Sequence, residues 1–140
     1  MINRMTRTEA HALLRESKLA RLGCIADGEP YVVPINYVLD GESVLLHMLP
    51  GRKLTAVRQH PRVCLQVDRI NDQFHWQSVI AYGRFEEIAN GTERERALGQ
   101  LLALFPHLTP VESFIANDAA APAPIVCRVR IEEVTGVAEG

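Results

Sequence analysis

The dipeptide Asp-Gly occurs twice, at Asp27-Gly28 and Asp40-Gly41, and each copy lies between apolar runs and is followed by Glu. Aspartate and glycine tolerate the positive φ angles that a two-residue hairpin turn demands, so each copy predicts a tight reversal between strands. The runs they separate are "LARLGCIA", "PYVVPINYVL" and "SVLLHM", and the spacing predicts two successive hairpins in an antiparallel meander. Further on, "RVCLQVD", "QSVIAYGRFEEI" and "IVCRVRIEEV" are also strand-like. In the second of these, Val79, Ala81, Gly83 and Phe85 alternate with Ser78, Ile80, Tyr82 and Arg84. In the third, Ile125, Cys127, Val129 and Ile131 share one face.

Helices are expected between these strands. Thr6-Arg7-Thr8-Glu9 fits a capping box for a helix running to about Ser17, with Ala10, Leu13 and Leu14 turned inward. "GRKLTAVRQH" has helical spacing at Leu54, Val57 and Arg58 and ends before Pro61, and Thr92-Glu93-Arg94-Glu95 is a second capping box before "RALGQLLALF". "NDAAAPAPI" is expected to be a loop. Runs of strands flanked by short helices indicate an α+β fold, a six-stranded antiparallel sheet able to close into a split barrel. A chain of 140 residues, 47% hydrophobic, suits one domain spanning 1–140.

Charge and composition narrow the function. A net charge of −2 gives no electrostatic footprint for nucleic acid. No apolar run approaches the ~18 residues of a membrane span, and the polar, amphipathic N-terminus lacks the apolar segment of a signal peptide. Cys24, Cys64 and Cys127 each sit in an apolar run with no zinc-ligand spacing, so buried, reduced thiols in a cytoplasmic protein are expected.

The most informative stretch is "HMLPGRKL". A strand ends, a glycine follows, and Arg52 and Lys53 open a helix. A helix start carries unpaired N–H groups and partial positive charge, which acidic side chains would ordinarily complement. Two cations there suit a bound phosphate, with a solvated basic helix start as the alternative. Pro34, inside the middle apolar run, cannot donate to a ladder; it marks either a bulge or an edge left open for a ligand.

In order, "VVPINY", the strand ending in His47, Gly51-Arg52-Lys53, "HPRV" and Trp76-x-Ser78-Val79-Ile80-x-x-Gly83 resemble the flavin-binding split-barrel superfamily of pyridoxamine 5′-phosphate oxidase. The resemblance is nearest to the short bacterial branch that includes nitroimidazole-resistance proteins. It implies flavin mononucleotide (FMN) at a homodimer interface, with Arg52 and Lys53 on the phosphate and Val33, Pro34, Ile35 and Asn36 along the isoalloxazine ring. His47 and Met48 take strand-end positions beside the cofactor, and Gln77 and Ser78 approach it from the partner subunit. Haem and deazaflavin F420, which related branches use, are the alternative cofactors.

The implied activity is a flavin-dependent oxidoreductase that acts on a small molecule and draws electrons from a reduced nicotinamide; the alternative is a carrier or sensor without turnover. The C-terminal Trp and Arg-Leu-x-Pro signature of true pyridoxamine phosphate oxidases is absent, and Asn36 stands where their substrate-contacting lysine is expected, which argues against vitamin B6 as substrate. His47 alone is open to three readings: haem ligand, proton donor or hydrogen-bonded strand-end histidine. Trp76 is expected against the flavin, across a dimer or in the core. The sequence has neither a GxSxG nucleophile motif nor paired carboxylates suited to acid/base work.

Overall fold

The computed structural model describes residues 1–105 and 125–140; the expected loop at "NDAAAPAP" lies outside them. The elements run β1 (Ile2–Arg4), α1 (Arg7–Glu16), β2 (Leu19–Ala26), β3 (Glu29–Asn36), β4 (Val38–Asp40), β5 (Ser43–Met48), α2 (Arg52–Gln59), β6 (Arg62–Asp72), β7 (His75–Glu87), α3 (Gly91–Leu104) and β8 (Ile125–Glu139). The described strands join one antiparallel sheet in the order β3-β2-β6-β7-β8-β5-β4, with β1 added to β8. The sheet curls into the expected α+β split barrel. The six strands read from sequence are present; the middle apolar run divides into β3 and β4, and β1 is an addition.

That division corrects the expected meander. Both hairpins form, β2–β3 around Asp27-Gly28 and β4–β5 around Gly41-Glu42. They do not adjoin: β3 and β4 stand at opposite ends of the strand order. The chain changes sides at Tyr37, which is 1% exposed. Its N–H donates to the Lys18 carbonyl at 3.0 Å and its hydroxyl to the Leu14 carbonyl at 2.5 Å. Burial pushes the phenol's pKa up to about 12, with a Ser17 contact opposing, so the hydroxyl remains a donor in this apolar seam.

Local rules account for most elements. Thr6 and Glu9 form the reciprocal capping box of α1, and Ala10, Leu13 and Leu14 are buried. α3 begins earlier than its second Thr-Glu signature suggested, because the Asn90 side chain accepts from the Glu93 N–H. In α2, Leu54, Ala56 and Val57 face inward, whereas Arg58 turns out to pair with Glu87 at 2.5 Å. Val79, Ala81 and Phe85 of β7 meet Cys127, Val129 and Ile131 of β8 in the main core, as alternation predicted. Fully buried leucines such as Leu22, Leu46 and Leu65 each contribute roughly 1.5–3 kcal/mol of burial. A smaller cluster of Leu45, Ile88, Ala97, Leu101 and Val126 seats α3 on the other face.

Candidate functional site

Among the described residues, the start of α2 differs from the other two helix starts. α1 is capped by Thr6 and has Glu9 in its first turn, and α3 is capped by Asn90 and has Glu93. α2 follows Gly51 with no side-chain cap and no acid in its first turn. Its orphan N–H groups and partial positive charge therefore remain uncompensated, and Arg52 and Lys53 add two full charges.

Arg52 is held from two sides. Its guanidinium lies over the Tyr31 ring, 4.7 Å from the centroid, and its Nε is 3.9 Å from Asp27 Oδ2. Beside it is a cleft of about 180 Å³ lined by Ala26, Asp27, Arg52, Thr55, Ala56 and Gln59. Lys53 is half-buried, and its charge reaches two thiols below. Burial raises the Cys24 thiol's pKa, aided by Cys64 and opposed by Lys53 and Arg52. Burial also pushes Cys127 up to about 12, aided by Glu87 and opposed by Lys53. Raised thiols make poor nucleophiles and metal ligands. Cys24 and Cys127 are buried as expected, whereas Cys64 is only half-buried. No group of three metal-ligating side chains occurs among the described residues.

Tyr31 connects this helix start to the β3 edge. The two-residue turn at Asp27-Gly28, with φ of 54° and 75°, makes Ala26↔Glu29 a hydrogen-bonded pair. Pairing then alternates, so Ile25↔Pro30 and Arg21↔Pro34 are non-bonded pairs. Pro30 and Pro34 thus sit where a residue's N–H would face away from β2, and the ladder loses nothing. The register runs unbroken through Pro34, so no bulge forms there, and β3 is an edge strand of the sheet. Val32 and Asn36 share that orientation, leaving their N–H groups and the Pro34 carbonyl on the edge. Prolines at these positions also discourage another strand from adding there.

Strand alternation divides the residues singled out from sequence. Val33 and Ile35 turn toward the core, where Ile35 is buried, while Pro34 and Asn36 are exposed on the opposite face. Met48 is 1% exposed among core side chains. His47 lies on the other face with Leu45, beside Val126 and the α3 cluster. One ligand therefore cannot meet both side chains on the same face of β5, a conflict already implicit in the two-residue period. Gln77 and Ser78 lie on β7, separated from β3 by β2 and β6, or ~14 Å at the usual strand spacing. Ser78 Oγ accepts from Gln66 Nε2 at 3.1 Å in a network with Asp68 and Arg21, and Gln77 Oε1 accepts from Arg69 at 3.4 Å. Trp76 is half-buried rather than in the core, its Nε1 donating to Glu139 at 2.9 Å.

A family model for pyridoxamine 5′-phosphate oxidase matches residues 6–138. The chain belongs to that family. A curated relative, uncharacterized protein RA0666 of Rhizobium meliloti (strain 1021), is 34% identical over 94% of this chain and 91% of its own length. Among solved structures, a FAD-binding protein from Mesorhizobium loti has a TM-score of 0.81 at 26% identity, covering 100% of this chain and 99% of that one. A candidate 5-nitroimidazole antibiotic resistance protein from Bacteroides thetaiotaomicron has a TM-score of 0.74 at 19% identity, covering 99% of this chain and 87% of that one; at that identity the likeness concerns the fold. Among the described residues no helix is long and apolar enough to cross a membrane.

Sequence reasoning missed Tyr31 and Asp27. Tyr31 has the parity of Val33 along β3, and Asp27 belongs to a turn that Asn would serve equally well. A charge that the turn does not require is the signal that could have drawn attention to it.

Proposed function

We propose that the protein binds FMN at the interface of a homodimer and serves as an oxidoreductase, passing electrons from a reduced nicotinamide to a small-molecule acceptor. One observation carries the reading: the first turn of α2 has neither cap nor acid, yet holds Arg52 and Lys53. Orphan N–H groups plus a forked cation and a point charge fit a phosphate monoester. Family membership and the likeness to a FAD-binding protein support a flavin nucleotide as its bearer.

The residues present fit such a group. Arg52 and Lys53 would hold the phosphate, and the β3 edge from Val33 to Asn36 would flank the ring system with backbone donors and acceptors. A bound flavin supplies the two-electron chemistry; the protein orients it and limits access by water. A second subunit accounts for residues distant from α2 within one chain. The outer face of the sheet exposes Leu19, Ile25, Val32, Ile70 and Val137 around the Arg21–Gln66–Asp68–Ser78 network. An apolar face of this kind, interspersed with polar groups, suits a like partner and would carry Ser78 to the neighbouring site, whereas Gln77 turns its side chain to the other face of β7, toward Arg69.

The test is an anaerobic titration of the purified, flavin-loaded protein with NADH and NADPH. Bleaching of the oxidised flavin band and its return on adding an acceptor support turnover; a flavin that neither donor reduces leaves a carrier or sensor instead.

A further inference from the structure

Asp27 bears on how the phosphate site is regulated. The β2–β3 turn places its first central residue at φ 54°, a conformation that Asp and Asn both accept. Geometry alone thus does not require a carboxylate here. Its Oδ2 is 3.9 Å from Arg52 Nε, and the two side chains are 84% and 56% exposed. An ion pair this exposed is weak and readily exchanged for another partner. Arg52 meanwhile lies over Tyr31, whose ring face limits its swing while leaving its N–H fork available.

We infer that Asp27 is a built-in competitor for the cofactor's phosphate, setting how tightly Arg52 can grip it, and that Tyr31 positions Arg52 for either partner. The inference rests on the FMN reading above and concerns the regulation of the same site. In the free protein the carboxylate engages the guanidinium. A phosphate entering the cleft between Asp27 and Thr55 must displace it and then carries negative charge close to it. Both effects weaken binding of a phosphorylated flavin, and neither acts on a flavin without phosphate. Opposite unit charges at this distance in water attract by an amount equivalent to about a five-fold factor in affinity.

The experiment is a fluorescence titration of the full-length, cofactor-free chain with FMN and with riboflavin, at low and at ~1 M salt. Asp27→Asn preserves the turn, and it is expected to bind FMN about five-fold more tightly at low salt. The gain should vanish at high salt, with riboflavin unchanged. Tyr31→Leu should lower the ratio of FMN to riboflavin affinity, while Tyr31→Phe, which keeps the ring, should retain it. Unchanged or weaker FMN binding by Asp27→Asn overturns the role of Asp27, as does an equal gain for riboflavin. An unaltered ratio in Tyr31→Leu overturns the positioning role of Tyr31. Failure of the underlying reading looks different: Arg52→Ala/Lys53→Ala would then leave the preference for FMN over riboflavin intact.

Discussion

Replacing Arg52 and Lys53 together by alanine removes both full charges from the start of α2 while leaving its inward residues Leu54, Ala56 and Val57 in place. A hydrogen bond to a charged group contributes roughly 1.5–3 kcal/mol. Arg52 is 56% exposed, so its contribution belongs at the lower end of that range. Lys53 is half-buried, and its charge is less screened. The pair together should supply about 3 kcal/mol or more, which is about 100-fold in affinity. The assay is equilibrium titration with FMN and riboflavin, which differ only in the phosphate. The unaltered protein should prefer FMN by at least this factor, and the double variant should lose that share of the preference, keeping only what the α2 N–H groups supply. Riboflavin affinity supplies the control for damage elsewhere. A double variant that keeps the full preference for FMN refutes the phosphate assignment, and equal losses for both flavins would mean that the ring site, not the phosphate site, had been disturbed.

Three further outcomes test the fold that holds this site. Tyr37→Phe should cost about 1–2 kcal/mol in urea unfolding, because the Leu14 carbonyl loses a buried donor. The same phenol has a raised pKa, so its contribution is complete below the ordinary tyrosine range near pH 10 and is lost as pH rises toward about 12; a flat stability curve across that window would contradict the burial. Glu86 is held down to about 2 by hydrogen bonds from Arg130 and Arg128. Its stabilisation should be present above pH ~4.5 and fade as pH falls toward about 2, and Glu86→Gln should remove that part of the acid dependence. Gly83→Ala would place a methyl group 2.3 Å from the Arg130 carbonyl oxygen and 2.8 Å from Val129 Cγ1, so a loss of about 3 kcal/mol or a failure to fold is expected. Wild-type stability in that variant would mean that β7 and β8 are less closely apposed there.

Local chemistry made much of this fold legible. The Thr6–Glu9 box, the Asp27-Gly28 turn and the alternation of β7 and β8 all follow from side chains interacting with near neighbours. The break at Tyr37 does not. "PYVVPINYVL" is apolar but for Asn36, so nothing local marks the break; Tyr37 bonds to the distant carbonyls of Leu14 and Lys18 where β3 gives way to β4, and the two strands go to opposite ends of the sheet. The same limit applies at the site. Arg52 and Lys53 stood out because two cations at a helix start lack a local rationale. Tyr31 did not, because its contact with Arg52 arises only when α2 packs beside the β2–β3 hairpin. His47 and Met48 are adjacent in sequence and so invite a shared role, although the strand period puts neighbours on opposite faces.

The most direct measurement is the absorbance spectrum of the freshly purified protein, together with mass identification of the small molecule released on unfolding. The account predicts a yellow protein that releases FMN. A Soret band with haem released, a released deazaflavin, or a colourless protein that fails to bind added FMN would contradict it.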